Sequence, residues 1–203
     1  MKVIIIDYKM GNIHSLLGAL RYLGVKQPIV SNKKNDILSA DKLILPGVGA
    51  FNKAMLNIKQ LNLDQYLHSA IINNKTPVLG ICLGMQLMGF SSTENGHSTG
   101  LSYVKGKVDI FNKQLVKVPH VGFNQVTVNN QLKLYHDMNG MMDFYFSHSF
   151  KMESDADINS CLCHYHSPFV ASYEKDNIAG VQFHPELSQR NGLQLIKNFL
   201  ERF

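Results

Sequence analysis

Thr76-Pro77-Val78-Leu79-Gly80-Ile81-Cys82-Leu83-Gly84-Met85-Gln86-Leu87-Met88 is the stretch on which the reading of the chain turns. Thr76 to Ile81 is a short, largely apolar run containing a proline, and from Leu83 the apolar residues fall in a helical pattern. Cys82 therefore sits between a strand end and a helix start. Gly80 and Gly84, two positions to either side, remove the side chains that would block so close a crossing. Gly-x-Cys-x-Gly in this setting is a nucleophile elbow with sulfur as the nucleophile. The sulfur is expected to project into a cleft at a helix N-terminus, where the dipole and free N–H groups favour thiolate over thiol. An inert buried cysteine at a tight turn is the alternative, because free cysteine is among the most buried residue types. Such a thiol has no use for the two glycines.

Working outward, the N-terminal run Val3 to Asp7 is β-rich, and Asn12 is placed to cap a helix carrying Ile13, Leu16, Leu17, Leu20 and Leu23 on one face, stopped by Gly24. Gln27 to Val30 and Lys42 to Leu45 read as further strands, the latter ending at Pro46-Gly47-Val48-Gly49. Helices are expected from near Phe51 and over Leu63 to Ile72. This alternation predicts an α/β fold with a mostly parallel sheet, helices on both faces, and sites at the strands' C-terminal ends. After Met88 the pattern changes. Ser91 to Gly100 reads as a polar loop, and strand-like runs follow at Tyr103–Phe111, Phe123–Val128, Met142–Phe146, Asp157–Tyr165, Phe169–Tyr173 and Ile178–Phe183. These are expected to pair antiparallel and to extend or flank the parallel sheet, with a closing helix from about Ser188 to Leu200.

The 203 residues, 45% of them hydrophobic, suffice for one domain spanning the whole chain. The formal charge of +5 comes without any block of like charges, which argues against a nucleic-acid footprint. The first apolar run is too short for a signal peptide or a membrane span. Three cysteines make no disulfide framework, so a reducing cytoplasm is expected.

A thiol nucleophile needs a base, and the base needs an orienting partner. In Gly180-Val181-Gln182-Phe183-His184-Pro185-Glu186 an apolar strand ends at a histidine, and an acid follows two positions later. His184 is placed to move the thiol proton, with Glu186 to hold the ring tautomer and offset its charge. A merely structural histidine at a strand end is the plainer alternative. For the oxyanion, the Leu83 N–H follows from elbow geometry, and Gly47, Val48 and Gly49 offer a second donor whose peptide flip would switch the hole. An ordinary strand-to-helix turn explains that loop equally well. Gln86, one helical turn beyond Cys82, faces the same way and suits a substrate contact, or is a surface helix residue. In Cys161-Leu162-Cys163-His164-Tyr165-His166, cysteines and histidines fall on opposite faces of a strand, which argues against a metal site.

The strings Ile6-Asp7-Tyr8 with Met10-Gly11-Asn12, Leu45 to Phe51, Pro77 to Leu87, Val118-Pro119-His120-Val121-Gly122, Tyr145 to Ser149 and Gly180 to Glu186 together resemble those of class I (triad-type) glutamine amidotransferases. That family has a flavodoxin-like sheet. Within it, the Pro-Gly-Val-Gly-Ala-Phe and Val-Pro-His-x-Gly strings are closely similar to those of the glutaminase subunits of imidazole glycerol phosphate synthases. The resemblance implies attack of Cys82 on the carboxamide of glutamine, loss of ammonia and hydrolysis of a thioester to glutamate, with no cofactor. It places Gln86, Glu94, Ser147, His148 and Ser149 on the substrate. It also implies a (β/α)8-barrel cyclase as partner, receiving ammonia for histidine biosynthesis, with Asn12, His120, Phe123, Asn124, Tyr145 and Leu187 toward that partner or the ammonia path.

Three positions depart from the pattern: Phe123 where tryptophan is usual, Leu187 where lysine is usual, and Lys9 where glycine is usual. They keep open a paralogous glutaminase serving amidino-sugar synthesis in a surface-polysaccharide pathway. A cysteine hydrolase of the α/β-hydrolase type shares the elbow, but its acid precedes its histidine. A silent scaffold would have lost Cys82 or His184.

Overall fold

Strand β1 (Val3–Ile6) is buried at every position, as a strand covered on both faces must be. Its side chains alternate: Val3 and Ile5 enter one apolar core, Ile4 and Ile6 the other. The computed structural model describes residues 1–156 and 158–203. After β1 come α1 (Ile13–Tyr22), β2 (Ile29–Ser31), a short α2 (Lys34–Leu38), β3 (Lys42–Leu45), α3 (Phe51–Gln60) and α4 (Leu63–His68). A π-helical turn over Ser69–Asn73 extends α4, and β4 (Val78–Ile81) and α5 (Leu83–Leu87) complete the first half.

The second half holds β5 (Ser91–Ser92), β6 (Ser98–Thr99), β7 (Lys107–Ile110), β8 (His120–Thr127), β9 (Met141–His148) and β10 (Phe150–Glu153). Then follow β11 (Ser160–Tyr165), β12 (Ser167–Lys175), β13 (Ile178–Val181) and α6 (Gln189–Arg202).

The sheet runs β2-β1-β3-β4-β13-β12-β10-β7-β5-β6, with β11 pairing β12 and β8, and β8 pairing β9. From β2 through β13 neighbouring strands are parallel. From β13 to β7, and in the β12-β11-β8-β9 branch, they are antiparallel. One core packs Leu16 and Leu20 of α1 and Leu195, Ile196 and Phe199 of α6 on the sheet, and the other packs Phe51, Ile58 and Leu67 of α3 and α4. This is the mixed, helix-flanked sheet that the alternation predicts.

Several details differ from the sequence reading. The strand ending near Phe183 is not antiparallel to its inner neighbour: β13 runs parallel to β4, with Val181 opposite Ile81. That pairing joins segments about a hundred residues apart, beyond the reach of any local pattern. The Ser91 to Gly100 loop contains the small β5-β6 hairpin. The expected strand from Asp157 begins at Ser160, and Asp157 itself lies outside the described residues. Asn12 occupies the N-cap of α1 but makes no capping bond, its amide reaching Ser15 Oγ at 3.4 Å instead. Among the described residues no helix is long and apolar enough to cross a membrane.

Candidate active site

The parallel pairing of β4 and β13 brings Cys82 and His184 to the same edge of the sheet. Cys82 has φ 53° and ψ −109°, a conformation L-residues rarely adopt and one that concentrates at functional sites. The flanking glycines permit it. A β-carbon at Gly80 would lie 2.8 Å from the Met85 backbone, and one at Gly84 would overlap the Leu45 carbonyl oxygen. The helix that follows is shorter than the apolar pattern suggests. α5 ends at Leu87, so its dipole is that of little more than one turn, and the local N–H groups matter more than the macrodipole.

His184 is held by its own N–H, which donates to the Tyr145 carbonyl at 2.8 Å. Its Nδ1 lies 2.9 Å from Glu186 Oε1, with both side chains buried. Glu186 Oε2 has no other partner among the described residues, so this carboxylate is committed to the imidazole. Ser188, which the sequence reading did not single out, closes the turn: its hydroxyl donates to the His184 carbonyl at 2.6 Å and accepts from the Tyr145 N–H at 2.9 Å. Burial pulls His184 toward the neutral form, but interactions with Cys82 and Glu186 outweigh it and push it up to about 10. The ring therefore holds a proton through neutral pH.

The Leu83 N–H is not free. It donates to the Gly47 carbonyl at 3.4 Å, a long and weak bond. Tyr8, also not singled out from sequence, anchors the loop from below by donating to the Pro46 carbonyl at 2.6 Å. A β-carbon at Gly47 would overlap the Tyr8 hydroxyl and approach Leu83 Cβ to 2.8 Å. Gly49 has φ +106°. The departure at Lys9 falls at φ 68°, a left-handed position that suits glycine, and here Asp7 supports it through the Lys9 N–H at 3.0 Å and Nζ at 2.8 Å.

A cavity of about 500 Å³ opens over the cysteine. Its lining includes Cys82, Leu83, Val48, Gly49 and His184, together with Gln86, Glu94, Ser147, His148 and Ser149. Gly47 stays behind the wall. Gln86 is buried rather than a surface residue, and its amide donates to the Phe150 carbonyl at 2.9 Å and to Gln182 Oε1 at 2.8 Å. Glu94 is half-buried, its carboxylate accepting the Phe51 N–H at 2.8 Å at the start of α3. The Phe150 carbonyl also receives His148 Nδ1 at 2.8 Å, which fixes that tautomer, since a carbonyl only accepts. His148 Nε2 then accepts from His120 Nδ1 at 3.1 Å, and His120 Nε2 from Asn124 Nδ2 at 3.3 Å. Burial pushes His148 down to about 3 and His120 down to about 4, so both stay neutral.

The residues expected toward a partner separate in the structure. Phe123, Leu187 and Asn12 are exposed, and Phe123 packs edge-to-face on Tyr145 at 5.6 Å across the β8-β9 pair. Asn124 is half-buried. His120 is buried, stacked between Phe146 and Tyr165, so its ring faces the interior and not the surface. On β11, Cys161 and Cys163 are buried while His164, and His166 just past the strand, are exposed.

The family model for "Glutamine amidotransferase class-I" matches residues 4–203. The chain is 42% identical over 199 residues, 98% of each chain, to imidazole glycerol phosphate synthase subunit HisH 1 of Campylobacter jejuni strain RM1221. It is 42% identical over 202 residues to subunit HisH 2 of Vibrio vulnificus strain YJ016, covering 99% of this chain and 94% of that one. Among solved structures, one described as a glutamine amidotransferase superposes with a TM-score of 0.76 at 15% identity, covering 98% of this chain and 97% of that one, a likeness of fold.

Proposed function

The chain belongs to the class-I glutamine amidotransferase family, and on that footing we propose that residues 1–203 form one glutaminase domain, the ammonia-supplying subunit of an imidazole glycerol phosphate synthase. The observation that carries the reading is the convergence of a strained Cys82, the His184–Glu186 pair and a polar cavity at one sheet edge. The full-length similarity to HisH subunits supports the same assignment.

In this reading the side-chain carboxamide of glutamine enters the cavity and Cys82 attacks its carbonyl carbon as a thiolate, with the proton already on His184. The tetrahedral intermediate collapses as the C–N bond breaks and His184 gives its proton to the departing nitrogen, releasing ammonia. Water then adds to the thioester, His184 takes its proton, and glutamate leaves as the sulfur recovers the electron pair. Glu186 steadies the charged ring at each stage.

The oxyanion site is closed until the loop moves. Turning the Gly47–Val48 peptide would lift the Gly47 carbonyl from the Leu83 N–H and swing the Val48 N–H toward the same point, giving two donors. The bond that must break is 3.4 Å long and by itself accounts for about 1 kcal/mol or less of the cost of the turn. Glutaminase activity is thus held low until something stabilises the turned loop. Gln86, Glu94 and the Ser147–Ser149 segment hold the amino-acid end of the substrate.

Ammonia in water at pH 7 is protonated and lost as a nucleophile, so it passes directly to a second subunit. That partner is a (β/α)8-barrel cyclase, which makes imidazole glycerol phosphate and AICAR in histidine biosynthesis. Exposed Val48, Val121, Phe123 and Leu187 offer it an apolar contact surface. The test is glutamate release from glutamine by the purified chain, alone and with the organism's cyclase and its ligand, with Cys82→Ala as control. Strong stimulation that vanishes in the variant is expected. Activity indifferent to the cyclase would move the assignment to the amidino-sugar pathway that Phe123 and Leu187 leave open, and no Cys82-dependent activity would overturn the enzyme reading.

A further inference from the structure

Gln182 interrupts the apolar run Ile178-Ala179-Gly180-Val181-Gln182-Phe183 and is fully buried, where an amide is costly unless its hydrogen bonds are met. Its partners set its orientation without ambiguity. A carbonyl only accepts, which places Gln86 Nε2 and not Oε1 toward the Phe150 oxygen at 2.9 Å, and the second hydrogen of that same nitrogen goes to Gln182 Oε1 at 2.8 Å. The other end of the Gln182 amide must then be Nε2, and it points at Cys82 Sγ from 3.6 Å. The chain of bonds has one direction, from backbone carbonyl through two amides to the sulfur, and it presents the sulfur with a donor.

We propose that Gln182 is a catalytic residue of this site, donating a hydrogen bond that stabilises the Cys82 thiolate and holds the sulfur aimed into the cavity. A donor favours the charged sulfur, whereas a thiol would instead place its own hydrogen on the Ser147 carbonyl, 4.0 Å away. Gln86 thereby gains a second duty. It lines the cavity and also fixes which end of Gln182 meets the nucleophile. The other titratable groups whose charge the sulfur influences are His184, backed by Glu186, and the Tyr8 phenol, while His148 and Glu94 line the same cavity. His184, with its Nδ1 taken by Glu186, is the sulfur's charged partner and the Gln182 amide is its neutral donor, while Tyr8 gives its hydrogen to Pro46 and His148 gives its own to Phe150.

The inference concerns the sulfur's state and needs neither glutamine nor a partner, so it is tested apart from the glutaminase reading. Iodoacetamide alkylates a thiolate as iodide leaves, and the rate against pH reports the thiolate fraction at Cys82. Gln182→Glu keeps an acceptor for Gln86 and loses only the donor, adding a negative charge. Gln182→Met loses the donor without the charge. In both, alkylation at neutral pH is expected to fall, by roughly tenfold in Gln182→Met and further in Gln182→Glu, with its rise displaced to higher pH. Folded variants, checked by circular dichroism, that alkylate on the parent's profile would overturn the proposal.

A measurement on the parent chain guards against variants that fail to fold. With ¹⁵N-labelled glutamine, the Gln182 side-chain resonance should move with pH along the alkylation profile, and that movement should disappear in Cys82→Ala. A resonance that ignores the state of Cys82 would equally overturn it. Absent glutaminase activity combined with an intact Gln182 effect would count against the proposed function alone.

Discussion

Gly84→Ala and Gly18→Ala add the same methyl group to two helices, and the structure sets opposite outcomes. A β-carbon on Gly84 would overlap the Leu45 carbonyl oxygen and lie 2.7 Å from its carbonyl carbon. Leu45 is the last residue of β3, paired with Gly80 of β4, and cannot retreat without breaking the sheet edge. Helix α5 must therefore shift by roughly 1.5 Å to reach an ordinary contact distance. Overpacking of this kind costs about 1–3 kcal/mol. The shift also carries Cys82 and the Leu83 N–H out of place, and a displacement of about 1 Å at a reacting centre lowers the rate roughly a hundredfold. Gly18 lies within α1, and among the described residues nothing comes inside 4 Å of its would-be β-carbon. There alanine removes backbone entropy from the unfolded chain and stabilises by about 0.5–1 kcal/mol. Urea denaturation followed by circular dichroism, with glutamate release measured on the same samples, separates the two. A Gly84→Ala chain within about 0.5 kcal/mol of the parent and fully active would refute the account of the elbow, and a destabilised Gly18→Ala would refute the clearance argument.

Stability should peak near pH 6.5. His184 is raised to about 10, so its contribution is complete below 6.5 and is lost as pH rises toward 10, while buried His148 and His120, at about 3 and 4, destabilise the fold as pH falls below 6.5. Glu186→Gln should move the alkaline limb to lower pH, and a histidine NMR titration placing His184 near 6.5 in the parent would contradict the site electrostatics. Tyr8→Phe deletes the bond to the Pro46 carbonyl and should cost about 1–2 kcal/mol. Because that bond steadies the oxyanion loop, kcat should fall while KM stays near the parent value; unchanged kcat would make the bond purely structural. Iodoacetamide on the folded chain should label Cys82 only, since burial pushes Cys163 up to about 12 and also raises Cys161. Peptide mapping that finds label on β11 before unfolding would contradict this.

What was legible in the sequence is local. The elbow around Cys82, the His184-Pro185-Glu186 turn and the alternation of the first half depend on residues within a few positions of one another. Dihedral preferences, glycine clearance and periodicity are written at that range. The short elements were harder to see: α2, β10 and the β5-β6 hairpin span too few residues to establish a period.

Tertiary structure alone decided which distant segments meet. It set β13 parallel to β4, turned His120 inward onto His148, laid the Gly47 carbonyl over the Leu83 N–H, and joined Gln86 to Gln182 and Gln182 to the sulfur. Gln182 did leave one trace in the sequence, a polar residue interrupting the apolar run at the end of a buried strand, which states that a partner exists without naming it. Partners that far apart along the chain are selected by the packing of the whole sheet. A residue's local pattern carries its own conformational preference, whereas its hydrogen-bond partner across the fold is fixed only when every strand between them has found its place.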